Sequence, residues 1–235
     1  MTTFASVKAY IGGTYKQIMP KNVKISVLMA VYNTDFQLTK RAIDSVLQQD
    51  FQDFELIIID DGSTENDRKA LLEYVEAYEE KIVYIRHRNR GQAESINRGV
   101  LNSVGEFITI LDSDDEYKPY HLSTCLKEIE NVDLICSTAE TVVDTVEDYY
   151  VPDKNDLSKP IHLDDAVLFG TLFGHQKVFK SIDFKGGFAA DSAFYERAEI
   201  EFKTKKVFQR SYIYYRNNPN STCALLKQEL LLNAN

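Results

Sequence analysis

At 235 residues, 44% of them hydrophobic, the chain is long enough to bury one substantial core with an appended subdomain, and its composition carries no mark of disorder. A formal net charge of -9 and a pI near 5.0 argue against DNA or RNA as the main partner, because contacts to a polyanion need clustered Lys and Arg. The three cysteines, Cys125, Cys136 and Cys223, fit neither zinc-ligand spacing nor a paired disulfide framework and read as buried thiols in a reducing compartment.

Residues 1–20 mix Thr, Lys, Gly and Tyr without the apolar stretch of a secretory signal. From residue 24 to 115, short Val- and Ile-rich runs alternate with longer amphipathic stretches, the pattern of parallel strands and crossover helices. Strands are predicted at 25–31, 54–59, 82–86 and 107–111, each apolar almost throughout. Helices are predicted at 38–49, 66–78 and 92–103, with inward faces of Leu38, Ala42, Val46 and Leu47, then Leu71, Leu72, Val75 and Tyr78, then Ala93, Ile96, Val100 and Leu101. The sum is an α/β fold, a mostly parallel, doubly wound, Rossmann-like sheet. A helix near 120–129 and a strand near 133–137 extend it. The Pro- and Asp-rich segment 148–163 reads as a long excursion without regular structure. Beyond it follow a short helix near 164–169, a strand near 176–179, a helix at about 190–202, a Tyr-rich strand at 207–215 and a Leu-rich helix at 222–232. No run reaches membrane-spanning length.

In an open parallel sheet, ligands bind beyond the carboxyl ends of the strands. Here those ends carry Val31, Tyr32 and Asn33 after the first strand, Asp60, Asp61, Gly62 and Ser63 after the second, and Asp112, Ser113, Asp114 and Asp115 after the fourth. So many carboxylates on one rim would repel one another unless a cation or hydrogen-bond donors were supplied. Because extended backbone sends residues i and i+2 to the same side, Asp112 and Asp114 can address one ligand complex. Mg²⁺ or Mn²⁺ suits such a rim, since either takes one or two carboxylates and fills its shell with diphosphate oxygens and water. The bland reading of 112–115 is a cap for the next helix, and of Asp61 or Ser63 a cap for the helix after the second strand. Arg90 and Gly91, after the third strand, offer a cation and close backbone approach; a solvated surface Arg is the competing view.

The series 27–33, Ser45-Val46-Leu47-Gln48-Gln49, Asp60-Asp61-Gly62-Ser63-Thr64, Asn89-Arg90-Gly91, Asn97-Arg98-Gly99 and Leu111-Asp112-Ser113-Asp114-Asp115 resembles family 2 glycosyltransferases of the GT-A fold, over roughly the first 120 residues. The resemblance implies a nucleotide pocket lined by Tyr32, Asp61 and Arg90, Asp112 near the ribose, Asp114 on the metal and UDP as the commonest nucleotide. His175, and the stretch through Asp191, Phe194 and Arg197, look like the acceptor-side segment in which an aspartate opens a helix and serves as general base. That role falls on Asp191. Capping its helix is the alternative for Asp191, and a packed imidazole the alternative to phosphate or acceptor contact for His175. Two departures stand out: Ala190 replaces the Glu that many members carry, and the interval from His175 to Asp191 is short. The Q-x-x-R-W sequence of processive synthases is absent.

The implied division is an N-terminal extension at 1–23, a nucleotide-sugar-binding region at 24–140, an acceptor-side region at 141–221 and a C-terminal helix at 222–235. The implied activity is an inverting, metal-dependent transfer from a nucleotide-sugar donor to a saccharide or lipid-linked saccharide acceptor, in bacterial polysaccharide or glycoconjugate synthesis. The implied setting is the cytoplasm or the inner membrane face, with peripheral membrane association and a homo-oligomer as compatible partners. Two competitors are a noncatalytic nucleotide-sugar-binding subunit of a two-chain transferase and a sugar-phosphate nucleotidyltransferase. The second lacks a Gly-rich phosphate loop near the first strand.

Overall fold

The computed structural model describes residues 7–11, 14–18 and 23–217. The helix expected at 222–232 and Cys223 lie outside the described residues. The extension contributes an antiparallel hairpin of β1 (Val7–Ile11) and β2 (Thr14–Ile18).

The sheet begins with β3 (Ile25–Val31), α1 (Phe36–Leu47), β4 (Phe54–Asp60), α2 (Glu65–Glu76), β5 (Ile82–Arg86), α3 (Gln92–Asn102) and β6 (Phe107–Ile110). After it come β7 (Glu116–Tyr117), α4 (His121–Glu128) and β8 (Leu134–Val142), then β9 (Tyr150–Pro152), β10 (Pro160–His162), β11 (Leu172–His175), α5 (Gln176–Ser181), α6 (Ala190–Glu201) and β12 (Thr204–Tyr215). Eight strands form one sheet in the order β5-β4-β3-β6-β11-β8-β12-β7. β3 pairs in parallel with both β4 and β6, so the chain runs outward through β5 and returns by α3 to the other side of β3. That reversal creates a switch point between β3 and β6, where the loops leaving two adjacent strands diverge and open a crevice.

Strand alternation explains the two-sided core. Ile25, Val27, Met29 and Val31 of β3 pack with Ala42, Ile43 and Val46 of α1, Leu71 and Val75 of α2, and Leu122 and Cys125 of α4. Leu28, with Ile57 and Ile59 of β4, faces Ala93, Ile96 and Val100 of α3 and the α5 and α6 residues Phe179, Phe194 and Ala198 on the opposite side. α3 lies close to the sheet at Gly99, where a Cβ would stand 2.9 Å from Ile59 Cδ1. Asp35 starts α1 by accepting a hydrogen bond from Gln37 N at 2.8 Å, and Thr39, Ala42, Ile43 and Val46 form its buried stripe. Two residues expected to face inward do not: Tyr78 and Leu101 are exposed, at the ends of the α2 and α3 segments where the helix face turns out to water.

The second half departs further from expectation. No helix forms at 164–169; the segment is a turn held by Arg210, whose Nη2 meets Asp164 Oδ2 at 2.7 Å, followed by a single 3-10 turn, Phe169–Thr171. The expected strand at 176–179 is instead helix α5, and the strand precedes it as β11, antiparallel to both β6 and β8. β11 ends where its neighbours begin, with Asp133 O and Glu106 O accepting from His175 N and Gln176 N. The chain then turns, and Val178 and Phe179 enter the core from a helix. Segment 148–163 carries regular structure after all: β9 and β10 form a short hairpin in register Pro152↔Pro160, and the two prolines face each other at its turn end, where they cost no central ladder bond. Cys125 and Cys136 are buried free thiols, and burial pushes the Cys125 thiol up to about 12. No helix among the described residues is long and apolar enough to cross a membrane.

Candidate active site

Four loops meet around the switch point, and side-chain hydrogen bonds fix their relative positions. Asn33, with φ 49°, turns the chain after β3. Its backbone N–H donates to Ser63 Oγ at 3.0 Å, and its side-chain oxygen accepts from Thr64 N at 2.8 Å. The Thr34 and Ser113 hydroxyls meet at 2.8 Å, joining the β3 and β6 loops. Asp61 binds the loop after β5, its two oxygens accepting from Arg90 N at 2.7 Å and Gly91 N at 2.8 Å. Gly91 is the N-cap of α3 at φ 90°, a conformation that only glycine adopts cheaply.

Above these loops opens a cleft of about 1340 Å³ whose walls include Val31, Tyr32, Asn33, Asp61, Gly91, Asp112, Ser113, Asp114 and Asp191. Ser113 and Asp115 are buried while Asp112 and Asp114 keep access to the cleft, the i, i+2 alternation of extended chain. Asp112 Oδ1 accepts from Gln92 Nε2 at 2.6 Å, and Tyr212 Oη lies 3.3 Å from its other oxygen. Tyr212 also donates to Asp115, which accepts from Tyr215 N at 2.8 Å. Arg41 of α1 braces the loop from below: its Nη2 donates to the Asp114 carbonyl at 2.5 Å, its Nε pairs with Glu116 at 2.7 Å, and its guanidinium lies 3.9 Å from the Tyr215 ring centroid.

Burial raises the Asp112 carboxyl to about 7, reinforced by the nearby charges of Asp114 and Asp191 and opposed by the Tyr212 and Gln92 donors. Asp115 moves in the same direction for the same first cause. Asp191 sits in the first turn of α6, not at its cap: the N-cap is Ala189, and Asp191 Oδ1 accepts from Ser192 N at 2.8 Å. Burial raises its carboxyl to about 6, against the lowering effect of backbone N–H groups at the helix start and at Phe169. A carboxylate that loses its proton near neutrality and faces a cleft has the properties of a general base.

Charge and ligand count decide whether the donor set suits a divalent ion. Mutual repulsion among Asp112, Asp114 and Asp191 is the excess charge that a cation relieves. Among the described residues no three His, Cys, Asp or Glu side chains stand together as an ion-enclosing cage. Mg²⁺ and Mn²⁺ do not require one when phosphate oxygens and water complete the shell, so the residues present fit the ion.

Three residues singled out in the sequence lie off the cleft lining, and a fourth, Ser113, lies in its wall and also braces it. Asp60 is fully buried, accepting from Ser63 N at 2.7 Å and from Tyr84 Oη, with Arg86 Nε at 3.3 Å; it builds the turn and does not line the cleft. Ser113 is a buried link to Thr34. The Arg90 side chain is not part of the cleft lining, standing 3.9 Å from Glu94, and its backbone N–H donates to Asp61. His175 pairs with Phe107, the first residue of β6, and stacks on its ring at a centroid distance of 4.5 Å. That is the amino-terminal end of β6, the length of the strand away from Asp112. His175 is thus a packed imidazole outside the cleft. Gln92, Arg41 and Tyr212 were not foreseen, since each reaches the site from an element remote in sequence.

A family model described as glycosyl transferase family 2 matches residues 26–197. An uncharacterized glycosyltransferase of Nostoc sp. is 38% identical over 113 residues, which span 48% of this chain and 35% of that one. Matches to the curated relatives cover well under two thirds of those proteins' lengths. Among solved structures, Staphylococcus aureus TarS 1–349 in complex with UDP-GlcNAc superposes with a TM-score of 0.65 at 21% identity, covering 82% of this chain and 58% of that one. A mannosyltransferase from Pyrobaculum calidifontis in complex with GDP-Man and Mn²⁺ gives 0.66 at 16% identity, covering 88% and 61%. These likenesses establish a shared GT-A fold.

Proposed function

The chain belongs to glycosyl transferase family 2, and from that premise we propose that it is an inverting transferase that moves a sugar from a nucleotide diphosphate donor, UDP being the expected nucleotide, to an acceptor hydroxyl. The observation that carries this reading is the meeting of Asp61, Asp112, Asp114 and Asp191 on one cleft at the carboxyl ends of β3, β4 and β6. Nucleotide-sugar and Mn²⁺ complexes of fold relatives support it in kind. The proposed division is a donor region at 24–140 and an acceptor region at 141–221; the entry of Asp191 into the cleft from the second half is what supports it.

In the proposed reaction, the acceptor oxygen bonds to the anomeric carbon as the bond from that carbon to the diphosphate oxygen breaks. The acceptor's proton passes to the Asp191 carboxylate, and the configuration inverts. Asp61 keeps the loop from 87 to 91 in place beside the nucleotide site, and Tyr32, 53% exposed at the rim, offers a ring face to the base. Asp112 is aimed by Gln92 and Tyr212 toward the ribose side, and Asp114 is the carboxylate left facing the diphosphate. A Mg²⁺ or Mn²⁺ ion held by Asp114 would neutralise charge on the departing diphosphate. A saccharide or lipid-linked saccharide is the proposed acceptor class.

The experiment is release of nucleoside diphosphate from a panel of nucleotide sugars in the presence of Mn²⁺. Asp191→Asn should cut turnover by roughly 10²- to 10⁴-fold, the range for removing a general base, while donor affinity stays near wild type. Robust turnover by that variant rules out the assignment.

A further inference from the structure

The cleft extends beyond the nucleotide loops to residues of the second half of the chain, and this side has a surface of its own. The β9–β10 hairpin, the loop before α6, and α6 itself supply its walls. Phe188 and Tyr150 line it while keeping 50% and 45% of their surface exposed, and Leu157 does the same. Such rings serve no core. Phe188 is presented by a specific backbone: Gly187 at φ 118° and Ala189 at φ 55° flank it. An alanine in the left-handed region is strained, and that strain persists where the surroundings fix it, here two residues before Asp191.

Charge narrows the class of ligand further. Carboxylates outnumber cationic groups severalfold along the cleft, and among the described lining residues only Lys154, Lys206 and Arg216 are positive. Each of the three is turned to protein: Lys154 pairs with Glu196 of α6, Lys206 Nζ approaches Asp165 O at 3.5 Å, and Arg216 Nε donates to Asp148 O at 3.2 Å. Glu196 is neutralised by Lys154, while Glu199 of the same helix adds a further carboxylate to the cleft lining. An anionic acceptor would enter against this field with no cation among the described lining residues turned to receive it.

We propose that the wall bearing Phe188 and Tyr150 is the acceptor subsite and that it takes an uncharged saccharide, the apolar face of whose ring stacks on Phe188. The inference rests on the transferase reading above but names the charge of the acceptor and the side chain that receives it, which that reading leaves open. A sugar's axial C–H groups present an apolar face to an aromatic ring, while its equatorial hydroxyls reach the surrounding carboxylates as hydrogen-bond donors. The same carboxylates that repel a uronate or a sugar phosphate thus hold a neutral ring.

The test is saturation-transfer NMR on the full chain with methyl hexosides and methyl N-acetylhexosaminides, against methyl glucuronide and hexose 6-phosphate. Neutral glycosides should bind, Phe188→Ala should weaken them by roughly tenfold or more, and Phe188→Tyr should restore binding, with the anionic probes showing no saturation. Equal or tighter binding of the anionic probes, absence of binding by every neutral glycoside, or unchanged affinity in Phe188→Ala would each overturn the proposal. UDP titrated into the wild-type protein with Mn²⁺ reports the donor reading alone. Its failure there is distinguishable from failure of the acceptor inference.

Discussion

Asp191 and Tyr212 illustrate how single side chains set the chemistry of this cleft. Burial raises Asp191 to about 6, and as the proposed general base it must be deprotonated to act, so turnover should be sustained at neutral pH and fall tenfold per unit as the pH drops below about 6. A rate profile from pH 5 to 8 checks this; a flat profile across pH 6 would contradict it. Tyr212 is fully buried, and its hydroxyl serves both Asp115 and Asp112. Tyr212→Phe removes a donor to buried carboxyls and should cost about 1.5–3 kcal/mol of stability, measured by urea denaturation. Because Asp112 then loses one of the two donors that aim it, donor KM should rise as well. The acidic motif was legible at this scale because Asp112 and Asp114 are close in sequence and follow a strand that announces itself. Tyr212 was not, since a tyrosine 100 residues from Asp112 carries no local sign of its target. Asp60 and His175 show the converse failure. Both have functional residue types, but one is consumed by its own turn and the other sits at the wrong end of a strand whose direction only the fold reveals.

At the scale of elements, the parallel strands and the longer elements of the second half, α6 and β12 among them, were readable and the short ones were not, for one physical reason. Strands β3, β4 and β6, covered on both faces, must be apolar throughout, and that run is visible in sequence. Short segments such as β11 and α5 carry four to six residues, too few for a period of 2 or 3.6 to declare itself, so Val178 and Phe179 were equally consistent with strand or helix. The two residues of β7 lie below any pattern. One contact between elements is sharply testable. Gly170, in the 3-10 turn before β11, lies against the Tyr212 ring, and a Cβ there would fall 2.2 Å from Cζ. Gly170→Ala therefore forces the β12 tyrosine off its carboxyl partners and should destabilise the fold by about 1–3 kcal/mol, seen as a lowered Tm. Wild-type thermal stability in that variant would show that the turn yields without moving Tyr212.

For the molecule as a whole, the return of the chain through α3 creates the cleft, and the packing on both sheet faces holds it open. One buried group ties global stability to pH. His121, stacked on Tyr117 and bonded to Ser211, is lowered by burial to about 3, below the value near 6.5 expected for an unfolded chain. The unfolded state binds the proton first, so this group's contribution is complete above about pH 6.5 and is lost progressively as pH falls from there toward 3. Each pH unit crossed in that window costs on the order of 1.4 kcal/mol, which caps the loss at several kcal/mol. Buried carboxyls such as Asp112 and Asp191 act in the opposite sense, so the informative quantity is wild type minus His121→Asn in urea denaturation from pH 7 to 4. A difference that does not change with pH would remove His121 from the account. The central claim concerns the cleft: Asp114 and its neighbours receive a nucleoside diphosphate together with a divalent cation. Titration calorimetry of UDP with and without Mn²⁺ tests it most directly. The account predicts binding that needs Mn²⁺, disappears in Asp114→Ala and persists in Asp191→Asn; equal UDP affinity without the metal and in Asp114→Ala would contradict it.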